Sequence, residues 1–303
     1  MTSVALASYH RAMPDLSYDS IELDREYGPW EYPWRERIQR YLEAIENAFP
    51  WHHDRSPWGP PVAPPTILGN ATLRFIDSIA PVPPGTLHVK QEMEITNALR
   101  RDRELIGYGT FLDKYERRGR RWFVFSARFR DGSGLLIGHA TATMAFPERV
   151  QTEEETKAEA KEPREEKPRK GELTPIARTL TQEKMTAYSE DSANALRGQS
   201  VHTDPAIARA SGYPNGVAQG LMSADYISEL MTGQMEKGWL LHGRLSLAFV
   251  RPALCGDTLT ANAALREKAD EGTLTRHVYD VWCENQNGKA VTVGTASGPV
   301  GVG

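Results

Sequence analysis

The stretch SVHTDPAIARASGYPNGVAQGLMS, Ser200–Ser223, sets a histidine and an aspartate two residues apart and reaches Gly220 eighteen residues after His202. An apolar stripe starts near Val217: Met222, Tyr226 and Leu230, with Ile227, Met231 and Met235 on the adjoining row, fall at the spacing of one helix. Such a stripe requires a sheet to cover it. That sheet follows in TLTRHVYDVWCENQNGKAVTVGTASG, Thr273–Gly298, where two alternating runs meet at Asn287-Gly288, a hairpin turn pair.

The same plan occurs earlier in the chain. RRWFVFSARFRDGSGLLIGHATATMAF, Arg120–Phe146, puts Phe123, Phe125, Ala127 and Phe129 on one face and turns at Asp131-Gly132. Ahead of it, TILGNATLRFIDSI supplies Ile67, Leu68, Leu73, Ile76 and Ile79 in a helical outline interrupted by Gly69. LHVKQEMEITNALRRDREL from Leu87 resembles LHGRLSLAFVRPALCGDTL from Leu241, pairing Leu87 with Leu241, His88 with His242, Leu99 with Leu254, Asp102 with Asp257 and Leu105 with Leu259. These correspondences indicate duplication. Between the copies, Gln151–Gly171 is almost wholly Glu, Lys, Arg and Pro, too polar to bury a core, and reads as a linker. The expected organisation is residues 1–150, a linker at 151–171, and residues 172–303, each half a short strand, helices with loops, and a long antiparallel sheet.

Composition narrows the function. The chain has 303 residues, 40% of them hydrophobic and 25% charged, with a formal net charge of −4. That length suits two domains, and the charge provides no basic field for nucleic acid. Apolar runs fall short of the roughly 20 residues that cross a bilayer, and MTSVALASYHRAMPD lacks the charged leader and apolar core of a secretion signal, so a cytoplasmic protein away from membranes is expected. Cys255 and Cys283 have no metal-type spacing and read as buried thiols.

HTDPAIARASGYPNGVAQGLM resembles the hydratase motif of the MaoC-like (R)-specific enoyl-CoA hydratase/dehydratase family, in which His-x-Asp-Pro precedes an aromatic turn and a His-Gly that opens the central helix. The resemblance implies an α+β tandem double hotdog: two helices, each wrapped in an antiparallel sheet. It implies reversible hydration of a 2-enoyl thioester carried on coenzyme A or an acyl carrier protein, with no separate cofactor or metal. Further pairing of double hotdogs into a homodimer is common in such folds and stays open here.

The chemistry requires a base at the hydroxyl carbon and stabilisation of the enolate forming on the thioester oxygen. His202 with a carboxylate would hold the water, and the Gly220 amide at a helix N-terminus would hold the oxyanion without a side chain in the way. In the family the aspartate stands five residues before the histidine, where this chain has Arg197, a permanent cation. Asp191, or its neighbour Glu190, is the candidate replacement. Aligning Tyr41 through Asp54 with Tyr188 through Asp204 instead sets Asn47 and Asn194 in the aspartate's place, and Asn194 could orient water without accepting its proton. Gln219 stands where the family has histidine, and Val217 and Gln219 are expected at the pocket mouth. Asp204 reads more simply as a helix cap ahead of Pro205.

The first half keeps His52 and Asp54 but has Pro64-Pro65 where the second has Gln219-Gly220, so it is read as a degenerate, substrate-binding or structural half. His52 and His53, adjacent on the chain, point apart and do not suggest a metal. Arg100, Arg101 and Arg103 could meet coenzyme A phosphates, whereas the arginines from 117 to 121 sit at a hairpin tip and read as solvated. Asn70-Ala71-Thr72 is a glycosylation triplet without a secretory setting. Two other functions remain in view: a hotdog thioesterase using Asp225 or Glu229, both expected on the exposed side of the helix, and an acyl-thioester-binding subunit that has lost its catalytic carboxylate.

Overall fold

The computed structural model of the chain describes residues 14–117, 119–147, 171–189 and 200–302. The first half runs β1 (Glu26–Glu31), α1 (Ile38–Ala44), a 3-10 turn at Pro50–His52, α2 (Ile67–Ile79), β2 (Leu87–Ile95), β3 (Leu105–Arg117), β4 (Arg120–Asp131) and β5 (Leu136–Ala145). The second repeats the order: β6 (Ile176–Thr179), α3 (Gln182–Ser189), α4 (Pro205–Ala210), α5 (Gly220–Met235), α6 (Lys237–His242), β7 (Arg244–Phe249), β8 (Thr258–Glu271), β9 (Leu274–Glu284) and β10 (Ala290–Val300). These strands form one ten-stranded sheet in the order β1-β3-β4-β5-β2-β7-β10-β9-β8-β6. Its middle pair is β2 against β7, antiparallel, with Glu92 opposite Ser246. The architecture is the α+β double hotdog expected from the sequence. The proposed linker lies outside the described residues, Gly171 excepted.

Both hairpins follow the turn chemistry of their sequences. Asp131 Oδ1 accepts the Ser133 and Leu135 amides at 2.9 and 3.0 Å, and Asn285 Oδ1 accepts those of Asn287 and Lys289. Phe123, Phe125, Ala127 and Phe129 are buried on the inner face. On α5, Met222, Tyr226, Ile227, Leu230, Met231 and Met235 are all buried, each contributing about 1.5–3 kcal/mol of apolar transfer. Gly69 does not interrupt α2. A Cβ there would lie 3.1 Å from Leu221 Cδ2, so the missing side chain lets α2 and the start of α5 pack closely.

Several sequence readings are corrected. Leu87 and His88 open β2, whereas Leu241 and His242 close α6, so their identity is not structural equivalence. Ala63 donates its amide to Leu99 and Ala218 to Ala253, both at 2.8 Å, which makes Ala253, not Leu254, the counterpart of Leu99. Cys283 is buried but Cys255 only partly so. Asn70 and Thr72 are buried in α2, closing the glycosylation triplet to modification. Asp225 is buried and Glu229 partly buried, because the flank of α5 that a single sheet would leave to solvent is covered by the other half. Among the described residues, no helix is long and apolar enough to cross a membrane.

Asp225 ties the halves together. Its Oδ2 accepts the Tyr188 hydroxyl at 2.7 Å and its Oδ1 accepts the Tyr41 hydroxyl. Thr66 lies 3.2 Å from the Tyr41 hydroxyl, and Asn70 Nδ2 donates to the Tyr188 hydroxyl at 2.8 Å. The two tyrosine rings stack with centroids 5.4 Å apart. Burial pushes the Asp225 carboxyl up to about 7, against the pull of these hydroxyl donors. A folded-state value above the unfolded one means that the folded protein binds the extra proton. The associated stability is therefore complete below the ordinary carboxylate range and lost as pH rises through about 7. Urea unfolding of wild type should show stability falling from about pH 5 to pH 8. In Asp225→Asn that slope should flatten, shifting the difference between the two proteins by on the order of 1–4 kcal/mol across the window. Parallel stability profiles would contradict this assignment.

Candidate active site

His202 is fixed from two sides. Gln182 Nε2 donates to its carbonyl at 2.9 Å, and its ring Nδ1 donates to the Val217 carbonyl at 2.7 Å. A carbonyl only accepts, so Nδ1 carries the proton and Nε2 keeps its lone pair. Burial, reinforced by the charge of Arg74, holds the imidazole below its ordinary pKa, with the Val217 bond acting in the opposite sense. At neutral pH the ring is an uncharged base. Asp204 is not part of it: Oδ1 accepts the Ala206 amide at 2.7 Å and caps α4, whose first residue is Pro205.

Gly220 is the first residue of α5, so its amide belongs to the helix turn that has no intrahelical acceptor and carries the positive end of the dipole. It lies three residues beyond the carbonyl that holds His202. A Cβ at Gly220 would come within 2.7 Å of Phe249 Cδ1, a contact closed to any other residue without movement. Gln219 is the N-cap, and its Nε2 donates to Ser189 Oγ at 2.8 Å at the end of α3. Val217 is buried and meets the site through its carbonyl. Asp191 and Asn194, with Glu190 and Arg197, lie outside the described residues.

The first half repeats the histidine geometry and omits the helix amide. His52 Nδ1 donates to the Val62 carbonyl at 2.9 Å, as His202 does to Val217. Val62 bridges to Arg100 as Val217 does to Leu254, and with the Ala63 and Ala218 amide bonds this frame sets Pro65 opposite Gly220. Proline has no N–H to offer. The His52 ring is sealed: Nε2 is buried without a hydrogen-bond partner among the described residues, and burial pushes its pKa down to about 4. His53 turns away and donates from Nε2 to the Asn47 carbonyl at 2.7 Å, while Asn47 Oδ1 accepts the Phe49 amide. Asn47 therefore serves a local turn.

A cavity of about 870 Å³ lies between the halves. Tyr32, Trp34, Ile67, Asn70 and Arg74 line it from the first half, and Thr186, Tyr188 and Thr203 from the second, the last next to His202. Asp225 does not line it, and both its oxygens are occupied by tyrosines. The sequence reading missed Arg74, Tyr32 and Tyr188. For Arg74 the available signal was a cation inside the apolar stripe of TILGNATLRFIDSI.

No protein-family profile matches the chain. Over 83 residues, 26% of its length, it is 34% identical to an (R)-specific enoyl-CoA hydratase of Aeromonas caviae, and the match spans 61% of that protein. Among solved structures, a MaoC-like dehydratase superposes on 94% of this chain and 99% of its own with a TM-score of 0.71 at 16% identity. A MaoC-like dehydratase of Phytophthora capsici covers 95% of this chain and 100% of its own, with a TM-score of 0.65 at 17% identity. A Mycobacterium tuberculosis protein described as a double hotdog covers 94% and 98%, with a TM-score of 0.64 at 11% identity. With its sheet order, paired central helices and repeated histidine turn, the chain is a double hotdog protein with the fold of the MaoC-like dehydratases.

Proposed function

We propose that the protein is a hydro-lyase that reversibly adds water to a 2-enoyl thioester, its acyl group carried on coenzyme A or an acyl carrier protein. The observation that carries this reading is the His202 Nδ1 bond to the Val217 carbonyl, three residues before the N-terminus of α5, which leaves Nε2 as the unprotonated nitrogen. Nε2 takes a proton from water as its oxygen bonds to C3. The electron pair of the double bond moves onto the thioester oxygen, which accepts the Gly220 amide, and transfer of the proton from Nε2 to C2 collapses the enolate and restores the neutral imidazole. Asp191 is the carboxylate assigned to the same water, with Asn194 as its orienting neighbour. The first half provides cavity walls rather than a second reaction centre, since Pro65 lacks the donor and His52 Nε2 is sealed. Thioester hydrolysis by Asp225 is disfavoured because its carboxylate is enclosed by Tyr41 and Tyr188.

Hydration of crotonyl-CoA and longer 2-enoyl-CoAs, followed by loss of enoyl absorbance with free thiol monitored in parallel, separates the readings. His202→Ala should lower kcat by about 10²–10⁴-fold and leave folding intact. His52→Asn should keep kcat within a few fold. Release of free thiol would favour a thioesterase, and saturable binding without turnover a binding subunit. Wild-type kcat/KM should fall as acid protonates His202, with a midpoint below the ordinary histidine value because burial and Arg74 disfavour the imidazolium.

A further inference from the structure

Arg74 is a cation in an enclosed place. It lies on α2, lines the cavity, and its side chain is 10% exposed. Its Nε is buried with no hydrogen-bond partner among the described residues. Asp77, one turn along the same helix, approaches Nη1 only to 3.9 Å, and the buried Tyr32 hydroxyl feels the charge of the guanidinium. A guanidinium has five donors, and burying one of them unmet is costly unless an anion arrives to meet it. The other charged residues around the cavity, Glu36, Arg37, Arg40 and Glu43, are exposed and belong to its rim.

The position is specific to one half. The frame that sets Pro65 opposite Gly220 sets Arg74 opposite Glu229 on α5. Glu229 faces the first half's turn, accepting the Ala48 amide at 3.3 Å and approaching Arg178 at 3.4 Å. Glu229 thus reaches the opposite half, whereas Arg74 lines the cavity between the halves. Thr203, the residue that follows His202, lines the same cavity from the opposite side of the seam. Trp34 and Ile67 line the same cavity with apolar surface.

Resting on the hydratase reading, we propose that Arg74, with the Tyr32 hydroxyl, binds a carboxylate on the acyl group, so that the substrate is a short 2-enoyl thioester acidic at its far end. Planar guanidinium and carboxylate pair through two parallel hydrogen bonds, which fixes the acyl chain in direction as well as charge. The phosphates of coenzyme A are bulky and solvated and do not suit a side chain this enclosed.

The test compares matched pairs, fumaryl-CoA with crotonyl-CoA and 2-hexenedioyl-CoA with 2-hexenoyl-CoA, in wild type, Arg74→Gln, Arg74→Lys and Tyr32→Phe, with thermal unfolding as the folding control. Wild type should favour the acidic member of at least one pair by about 10- to 100-fold in kcat/KM. Arg74→Gln should abolish that preference while retaining the neutral substrate, and should move the acid limb of the pH profile upward as the imidazolium loses a like charge. Arg74→Lys should keep part of the preference, and Tyr32→Phe should reduce it a few fold, so these two variants decide if Arg74→Gln does not fold. Equal use of both members by wild type, or a preference that survives in Arg74→Gln, overturns the subsite and leaves the hydratase reading standing. If no enoyl thioester turns over, the hydratase reading fails, and calorimetric binding of adipoyl-CoA against hexanoyl-CoA judges the subsite. Tighter adipoyl binding lost in Arg74→Gln sustains it, and equal binding overturns it.

Discussion

The carboxyl of Asp225, received by tyrosines from both halves, is the constraint on which the arrangement rests. Tyr41 and Tyr188 occupy matching places ahead of the two central helices, and Asn70 and Asp225 occupy matching places on them. A buried polar cluster of this kind is stabilising only when each member has its partner. Here the hydroxyls donate toward one carboxyl, and the stacked rings exclude water around it. The cluster sets how closely α2 and α5 approach, and so where the cavity between them falls.

From that common frame the halves diverge at a few positions, and the divergence makes the candidate site. The histidine turn is present twice, with the same Nδ1 bond to a valine carbonyl. The helix amide is available only where glycine replaces proline, and the ring Nε2 is sealed in the first half. The charged residues at matching places on the two central helices, Arg74 and Glu229, differ in sign. On the proposed reading, one half keeps the reaction chemistry while the other becomes its wall.

Much of this was legible in the sequence, for identifiable reasons. The hairpins were readable because Asp131 and Asn287-Gly288 carry their turn chemistry locally, and α5 because its apolar stripe is uninterrupted. Gly220 was readable from its spacing to His202. Gly69 was misleading because a close contact with Leu221, distant in sequence, is what makes glycine suitable there. Asp225 and Glu229 were misread for a related reason: charge on a helix flank predicts solvent only if nothing covers that flank, and the covering surface is the other half. The letter matches at Leu87 and Leu241 failed because identity was taken for register, which the backbone hydrogen bonds of Ala63 and Ala218 set instead. Arg74 stood out only as a cation inside an apolar stripe, and the cavity it lines could not be read locally because its walls are assembled from Tyr32 and the distant Tyr188 and Thr203.

The pairing of β2 with β7 within one polypeptide has an evolutionary consequence. Two identical subunits meeting along that edge would inherit every mutation in duplicate, so a cation placed to serve one cavity would appear in both. Joining the copies on a single chain removes that coupling. Each lobe can then drift by itself, and a proline or an arginine fatal to a symmetric pair becomes raw material for asymmetry.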